Sequence, residues 1–467
     1  MKSLLHLLRA LSPESVRALD KYMHAPYHVT HPGVLALYSY LKLHLNEPDL
    51  KVDQIRQVLF GAEGGDQKRL NHLSNYLLSA VEHFLALEVQ ALQKHEQHLA
   101  TVKALRQLKL NEASAGMLRY ARRRLEADTV RGAEYFRADY LLQQEAYYLF
   151  LQQGRDKTSN VQDLASAQDI ALVIEKLRTG CILMSHETIS KQTYDKGLLN
   201  SVLTFLDGHA YLQIPAVAVY YHGYYALLGE QADHHFQQLK TLLQQHGSHF
   251  SAAETHDLYL MAINYCIRRI NLADERFYRE IFELYQSGLE QGALLEDGTL
   301  SRWTYNNVTM TGLRLREYAW VKRFLYRYAD YLSVDHREAA FHFNLSRYFY
   351  DTGDYPQAMQ HLLRMEYDDV LQNLAAKLLL AKIYFEQEAI GALENQLDSI
   401  QIYLRRKKVL GYHKNNYNAI LRYMRKLLSV NFNDSESLRS LRKMIQEEPV
   451  LTEREWMLKQ LPEVRTN

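Results

Sequence analysis

Twenty-one histidines in a chain of 467 residues invite a search for metal sites. The stretch MHAPYHVTH sets His24, His28 and His31 four and three residues apart, a spacing that would gather three imidazoles on one helix face. Pro26 interrupts such a helix, and no cysteine or carboxylate completes a tetrahedral ligand set, so a polar loop between two helices is expected there. KHEQHL pairs His95 and His98 as HExH, one residue short of the HExxH that brings two zinc ligands together one helical turn apart. His234 and His235 are adjacent, so a helix turns their rings to different faces. FGAEGGDQKRL has the glycine density of a phosphate loop. Aspartate nevertheless follows Gly65 where lysine and a hydroxyl would be needed, and no buried strand precedes the stretch, so a turn between helices is expected. No GxSxG elbow or paired-acid motif occurs. No catalytic residue, metal or cofactor is expected, and the chain reads as a non-enzyme.

One charge feature stands out. Arg405, Arg406, Lys407, Lys408, Lys414, Arg422, Arg425 and Lys426 occur with no acid between residues 405 and 426. Tyr403, Tyr412, Tyr417 and Tyr423 are interleaved, a combination suited to phosphate contacts with base stacking. The same cations equally suit a solvated helix end near the negative dipole pole, balanced by acids on neighbouring helices. Overall charge favours the second account. Lysine plus arginine number 55 against 54 acids, and the first 100 residues carry ten of each sign. So balanced a chain has no global pull toward nucleic acid or anionic lipid.

Cys181 and Cys266 lie 85 residues apart without CxxC or Cys/His company, the pattern of reduced, buried thiols. His6 and Arg9 interrupt the first apolar run, so no signal peptide is expected. No run reaches the roughly 18 apolar residues that span a bilayer. A cytoplasmic protein with no membrane association is expected.

Helices must position whatever these residues do. Leu70–Gln93 places apolar residues three and four apart over several turns, as do VKRFLYRYADYL and LAAKLLLAKIYF. None of the eight prolines falls between residues 49 and 214, which fits long helices with short connections. Ser12-Pro13-Glu14 supplies a cap oxygen, a first-turn proline and an acid near the positive dipole pole. Thr452-x-x-Glu455 has the spacing of a capping box. No sustained alternation of period two appears, so no sheet is expected. Four of the eight prolines and the FGAEGGD turn set the first ~100 residues apart in texture. The expected organisation is an N-terminal helical domain over 1–100 and a helical array over 101–467.

Within the array, one stretch repeats. FHFNLSRYFYDTGDYPQAMQHLLRM contains His342-x2-Leu345-Ser346-x2-Phe349, then Gly353-Asp354-Tyr355, then Ala358-x3-Leu362. It resembles the tetratricopeptide repeat, with His342 and Val370 standing where that family favours tryptophan and proline. A further copy, Leu380-Ala381-x2-Tyr384 with Ile390 and Leu397, follows 35 residues on. Asn307-Val308-Thr309 precedes Asn344-Leu345-Ser346 by 37 residues, and Asn264-Tyr265-Cys266 lies 43 earlier still. The clearest repeats therefore run from 258 to 404, and Cys266 becomes the small residue at a helix contact. HAPYHVTHPGVLALYSYLK, INYCIRRIN and YLRRKKVLGYHKNNYNAI further resemble a group of uncharacterised bacterial helical-repeat proteins, which implies no activity.

The expected fold is all-α: an α-solenoid of stacked antiparallel helix hairpins after an N-terminal helical segment. The resemblance implies a concave face lined by first helices, with Asn306, Met310, Arg347, Tyr350, Lys382 and Phe385 in a peptide groove. Arg347 and Lys382 would favour an acidic peptide or a free carboxylate. The expected function is a scaffold that binds a protein or peptide, with a nucleic-acid regulator using 405–426 as the alternative. The 34 tyrosines serve either a core or such a groove.

Overall fold

The periodic apolar spacing is realised as helix almost throughout. The computed structural model describes all residues except 46, 48–49, 51, 62–66, 154–158, 191, 230–231, 365–368, 408–410 and 463–467, and the side chains of 94, 153, 188 and 189. The described residues form twenty-three α-helices, and the chain is all-α. It divides into two compact units, Met1–Lys176 and Leu177–Asn467.

The first unit contains α1 (Lys2–Ala10), α2 (Pro13–Met23), α3 (Pro32–Leu43), α4 (Val52–Phe60), α5 (Gln67–Leu92), α6 (Lys94–Gln107), α7 (Asn111–Glu126) and α8 (Ala133–Gln153). The division then falls within α9 (Val161–Ser190). The Ser12 hydroxyl accepts from Ser15 N–H with Pro13 opening α2, so that cap forms as its residues dictate. Two apolar cores occupy this unit. Leu8, Leu19, Met23, Leu37, Ile55, Leu70, Leu77 and Val81 build one, and Val102, Leu118, Leu125, Leu142 and Leu149 the other. The expected boundary near residue 100 lies between these two cores, inside the first unit.

The second unit continues with α10 (Leu199–Leu206), α11 (Pro215–Leu228), α12 (Ala232–His246), α13 (Ala252–Asn271), α14 (Phe277–Glu290), α15 (Arg302–Arg314), α16 (Tyr318–Tyr328), α17 (Val334–Asp351) and α18 (Tyr355–Leu363). It ends with α19 (Val370–Glu386), α20 (Ile390–Arg406), α21 (Gly411–Ser429), α22 (Ser435–Glu447) and α23 (Arg454–Lys459). From α11 to α20 each even-numbered helix packs on the odd-numbered one before it. Odd helices of neighbouring pairs also touch: α11 with α13, α15 with α17, and α17 with α19. Between α14 and α15, Leu295–Glu296 and Thr299–Leu300 pair as an antiparallel hairpin, β1 and β2, a departure from the strand-free expectation. Asp297 and Gly298 both take positive φ there, as a two-residue hairpin turn requires, and strands this short leave no alternation to read.

Four turns of the second unit share one geometry. Ala273, Arg316, Gly353 and Glu388 all adopt left-handed φ (54–80°) just after α13, α15, α17 and α19. After each, the next N–H reaches back five residues: Asp274 to Arg269, Glu317 to Gly312, Asp354 to Phe349, Ala389 to Tyr384. Each left-handed residue itself donates three residues back, completing the two-bond Schellman closure of a helix C-terminus. Seven residues before each turn lie Cys266, Thr309, Ser346 and Ala381, all 0% exposed. The turns thus recur at the spacings of 43, 37 and 35 seen between the sequence triplets. The asparagines do not share an environment: Asn344 is buried, whereas Asn264 and Asn307 are exposed. It is the small residue, where helices close on one another, that repeats.

Close approach is tightest at Gly312 on α15. A Cβ there would collide with Val321 Cγ2 of α16 and lie 3.2 Å from the Phe282 ring. Gly312→Ala is expected to cost about 1–3 kcal/mol by overpacking, measured as a lowered urea midpoint. An unchanged midpoint would mean that α16 shifts freely.

Among the described residues no helix is long and apolar enough to cross a membrane.

Candidate functional site

Three of the residues expected in a groove converge. Tyr350 comes from the last turn of α17, Lys382 and Phe385 from α19, and all three meet α23, a six-residue helix near the C-terminus. Phe385 meets the Trp456 ring edge-on at 5.4 Å between centroids. Lys382 Nζ donates to Glu453 Oε2 at 2.9 Å and lies 5.1 Å over the Tyr350 ring and 5.3 Å over Trp456. Glu386, one residue beyond Phe385, collects three donors. Tyr350 Oη and Trp456 Nε1 reach Oε1 at 2.6 Å each, and Tyr355 Oη reaches Oε2 at 2.6 Å. On α15, Arg314 donates to Glu455 at 2.7 Å and to Glu275 at 2.8 Å.

The remaining groove residues are placed differently. Asn306 accepts from Nδ2 of the buried Asn344, which also donates to Ala340 O at 2.8 Å. Met310, one turn on from Asn306, is 48% exposed. The Arg347 guanidinium stacks 4.2 Å over the Phe343 ring of its own helix.

Electrostatics at this junction follow from burial and charge together. Burial, then the Glu386 hydrogen bond, pushes the Tyr350 phenol far above its ordinary value. The hydrogen bond to Glu386 pushes Tyr355 up to about 12. Burial raises the Asp351 carboxyl, while Lys382, Arg347 and Lys459 pull it back down. The Arg314 hydrogen bond holds Glu455 below the usual carboxylate range.

Sequence reasoning missed Arg314, Glu386, Glu453, Glu455 and Trp456. The one signal it drew from this segment, a capping box at Thr452 and Glu455, is overturned: α23 has no side-chain cap. Asn416 claims Thr452 instead, donating to its hydroxyl at 3.0 Å and accepting from its N–H at 2.9 Å. Arg314 takes Glu455. A charged hydrogen bond and a reciprocal amide contact win over two weak local ones.

The basic segment separates into two groups. Arg422 pairs with Glu448, Arg425 donates to Asp398 and Gln401 at 2.8 Å each, and Lys426 reaches the Met444 sulfur at 3.5 Å. Arg405, Arg406, Lys407 and Lys414 are exposed, with no ion pair among the described residues, and Lys408 lies outside those residues. Of the interleaved rings, Tyr417 and Tyr423 are buried, Tyr403 is half-buried, and Tyr412 is 56% exposed.

Each sequence-flagged histidine has a local use. His24 Nδ1 lies 2.8 Å from Asp20 O, His28 stacks on Tyr22 at 4.3 Å, and His31 Nδ1 accepts from Gly33 N–H at the start of α3. His95 lies 3.0 Å from Asp128 in a cleft of about 460 Å³. That cleft is lined by Leu92, Leu99 and Leu141 and has no hydroxyl or thiol among its described lining residues. His98 is driven downward by burial and faces Tyr120 edge-on at 5.2 Å. His235 packs against His222 across the α11–α12 pair with 2.9 Å between Nδ1 atoms, while His234 meets it only ring edge to ring. Among the described residues no three histidine, cysteine or acidic side chains group as metal ligands. Both cysteines are free and buried, and burial raises their thiols well above the ordinary value. Residues 62–66 of the glycine-rich stretch lie outside the described residues.

Comparisons with protein-family models, with curated proteins and with solved structures find no match.

Proposed function

We propose that the second unit is a binding scaffold whose successive helix pairs stack as a solenoid and present a peptide groove on α15, α17 and α19. What supports stacking is the recurring turn geometry together with contacts between odd helices of neighbouring pairs. The observation that carries the groove is convergence: Arg314, Tyr350, Lys382, Phe385 and Glu386, from three helices, meet one short segment through its two glutamates and its tryptophan. Such a surface holds a helix by an aromatic anchor and places its acids by charge, the division of labour seen in helix-in-groove recognition.

A photoreactive residue in place of Phe385, introduced in the native cell, is the test. The expected result is an intermolecular adduct with a defined protein, lost when Lys382→Glu is added and absent when the same group replaces the exposed Tyr412. Adducts that are only intramolecular would overturn the proposal.

A second reading draws on the unpaired Arg405, Arg406, Lys407 and Lys414 and makes the protein a nucleic-acid-binding regulator. The burial of Tyr417 and Tyr423 removes two of its four stacking rings, and acids or amides from neighbouring helices engage Arg422 and Arg425. Retardation of duplex DNA that weakens with salt and vanishes on replacing Arg405, Arg406 and Lys407 would put this reading first.

A further inference from the structure

We infer that α23 is an internal occupant of the groove, and that the ligand it stands in for is an amphipathic helix in a partner protein that presents two glutamates and a tryptophan, of the form Glu-x-Glu-Trp followed by an apolar residue. The inference rests on the groove reading above and adds both ligand class and regulation.

Each element of that pattern has a receiver. The first glutamate of the segment, Glu453, meets Lys382. The second, Glu455, meets Arg314. The indole N–H of Trp456 goes to Glu386 while its ring meets Phe385. The next residue, Met457, is 0% exposed and belongs to a core with Leu441, Ile445 and Leu461. Two faces of one short helix thus serve different ends. Met457 and Leu461 anchor it to the C-terminal helices, and its acids and tryptophan face α15, α17 and α19.

The polar face is built to exchange. A six-residue helix without a side-chain cap has little stability of its own. The Arg314–Glu455 pair is largely open to water, at 40% and 64% side-chain exposure, and an exposed pair contributes only about 0–1 kcal/mol. Three of the groove residues also keep a contact when the segment leaves. Glu386 retains the hydroxyls of Tyr350 and Tyr355, Lys382 retains the Tyr350 ring, and Arg314 retains Glu275. Departure costs Lys382 its ion pair with Glu453, and the other groups of the vacated surface remain organised for a ligand that restores that pair. Tethering gives the internal segment an effective concentration of about millimolar order, so a free peptide of equal affinity competes poorly until the tethered copy is weakened.

The probe is a fluorescein-labelled peptide of residues 450–462, titrated against full-length protein and followed by anisotropy. Trp456→Ala in the protein is expected to tighten probe binding at least tenfold over wild type, and Trp456→Ala with Lys382→Glu to abolish the gain. If Trp456→Ala lowers helix content, Glu453→Gln with Glu455→Gln, which leaves Trp456 and Met457 in place, is expected to tighten binding about three- to tenfold. A folded variant that binds the probe no better than wild type would overturn the inference and make α23 a fixed part of the fold. That failure leaves cross-linking from position 385 intact. Tight probe binding by the variant with no partner adduct in the cell would instead remove the groove reading and, with it, the partner.

Discussion

Arg106→Ala is expected to destabilise the first unit by about 3–5 kcal/mol. Arg106 on α6 donates to Glu145 on α8 through Nε at 2.7 Å and Nη2 at 3.3 Å. The Glu145 residue is only 6% exposed, beside a core that holds Leu142 and Leu149 of the same helix. Removing the guanidinium leaves a carboxylate without its bidentate partner in a place water scarcely reaches. Most of the loss is that uncompensated burial, so Arg106→Met combined with Glu145→Leu should recover most of it. Urea denaturation of the full chain, followed by circular dichroism, measures both. An Arg106→Ala midpoint equal to wild type would show that solvent or a neighbour replaces the guanidinium, and the ion pair would then carry no structural weight.

Acid is expected to weaken the second unit across a defined window. His222 and His235 face each other across the α11–α12 pair, and His342 and His361 across the α17–α18 pair with 2.8 Å between Nδ1 atoms. Such a contact needs one nitrogen protonated and the other bare; two imidazolium ions cannot make it. Burial drives all four downward from the ordinary value, His222 furthest, to about 4, with His235 and His234 adding to the burial. Around His222 stand Tyr221, His234 and His235; around His342 stand Glu338, Arg364 and His361, of which only Glu338 opposes the shift. A histidine whose folded value lies below its unfolded one binds fewer protons when folded, so stability rises with pH between the two. For His222 the contribution is complete above about 6.5 and is lost as the pH falls through about 4. Discounted for partial exposure, the His222 contribution is about 1–2 kcal/mol, and the other three histidines act in the same direction, so melting should drop by several degrees between pH 7 and pH 4.5. His222→Gln with His361→Gln should flatten that slope. A wild-type melting temperature constant across the window would refute the account.

Much of the architecture was legible because it is written locally. Leu70–Gln93 lies almost wholly within α5, which runs Gln67–Leu92, and Ser12-Pro13-Glu14 opens α2 as capping chemistry requires. The small residues Cys266, Thr309, Ser346 and Ala381 could be found because a tight helix contact admits few residue types. Their turns were harder to see, since only Gly353 carries the expected glycine. At Ala273, Arg316 and Glu388 the packing of the flanking helices holds a left-handed backbone that the side chain resists by about 1 kcal/mol.

The candidate site was legible only on one side. Tyr350, Lys382 and Phe385 were expected together from the tetratricopeptide-repeat resemblance, but Trp456 and Glu453 lie 70 and 71 residues from the groups they meet. Nothing in TEREWMLKQ marks them as inward-facing except local capping, and that signal pointed elsewhere. The basic segment failed in the same way. Its run of cations is visible, but Asp398 precedes the run and Glu448 lies 26 residues beyond Arg422, so local reading left Arg422 and Arg425 unpaired.

The order in which the ribosome delivers these residues has its own consequence. Arg314 emerges 141 residues before the Glu455 that meets it, and Lys382 emerges 71 before Glu453. At roughly 5–20 residues per second, the nascent chain carries Arg314 and Lys382 without these partners for several seconds, which on the proposed reading leaves the groove uncovered. On that reading, a partner that meets the protein during its own translation finds the groove before α23 exists. The age of the molecule, counted in seconds from synthesis, becomes a determinant of what it can hold.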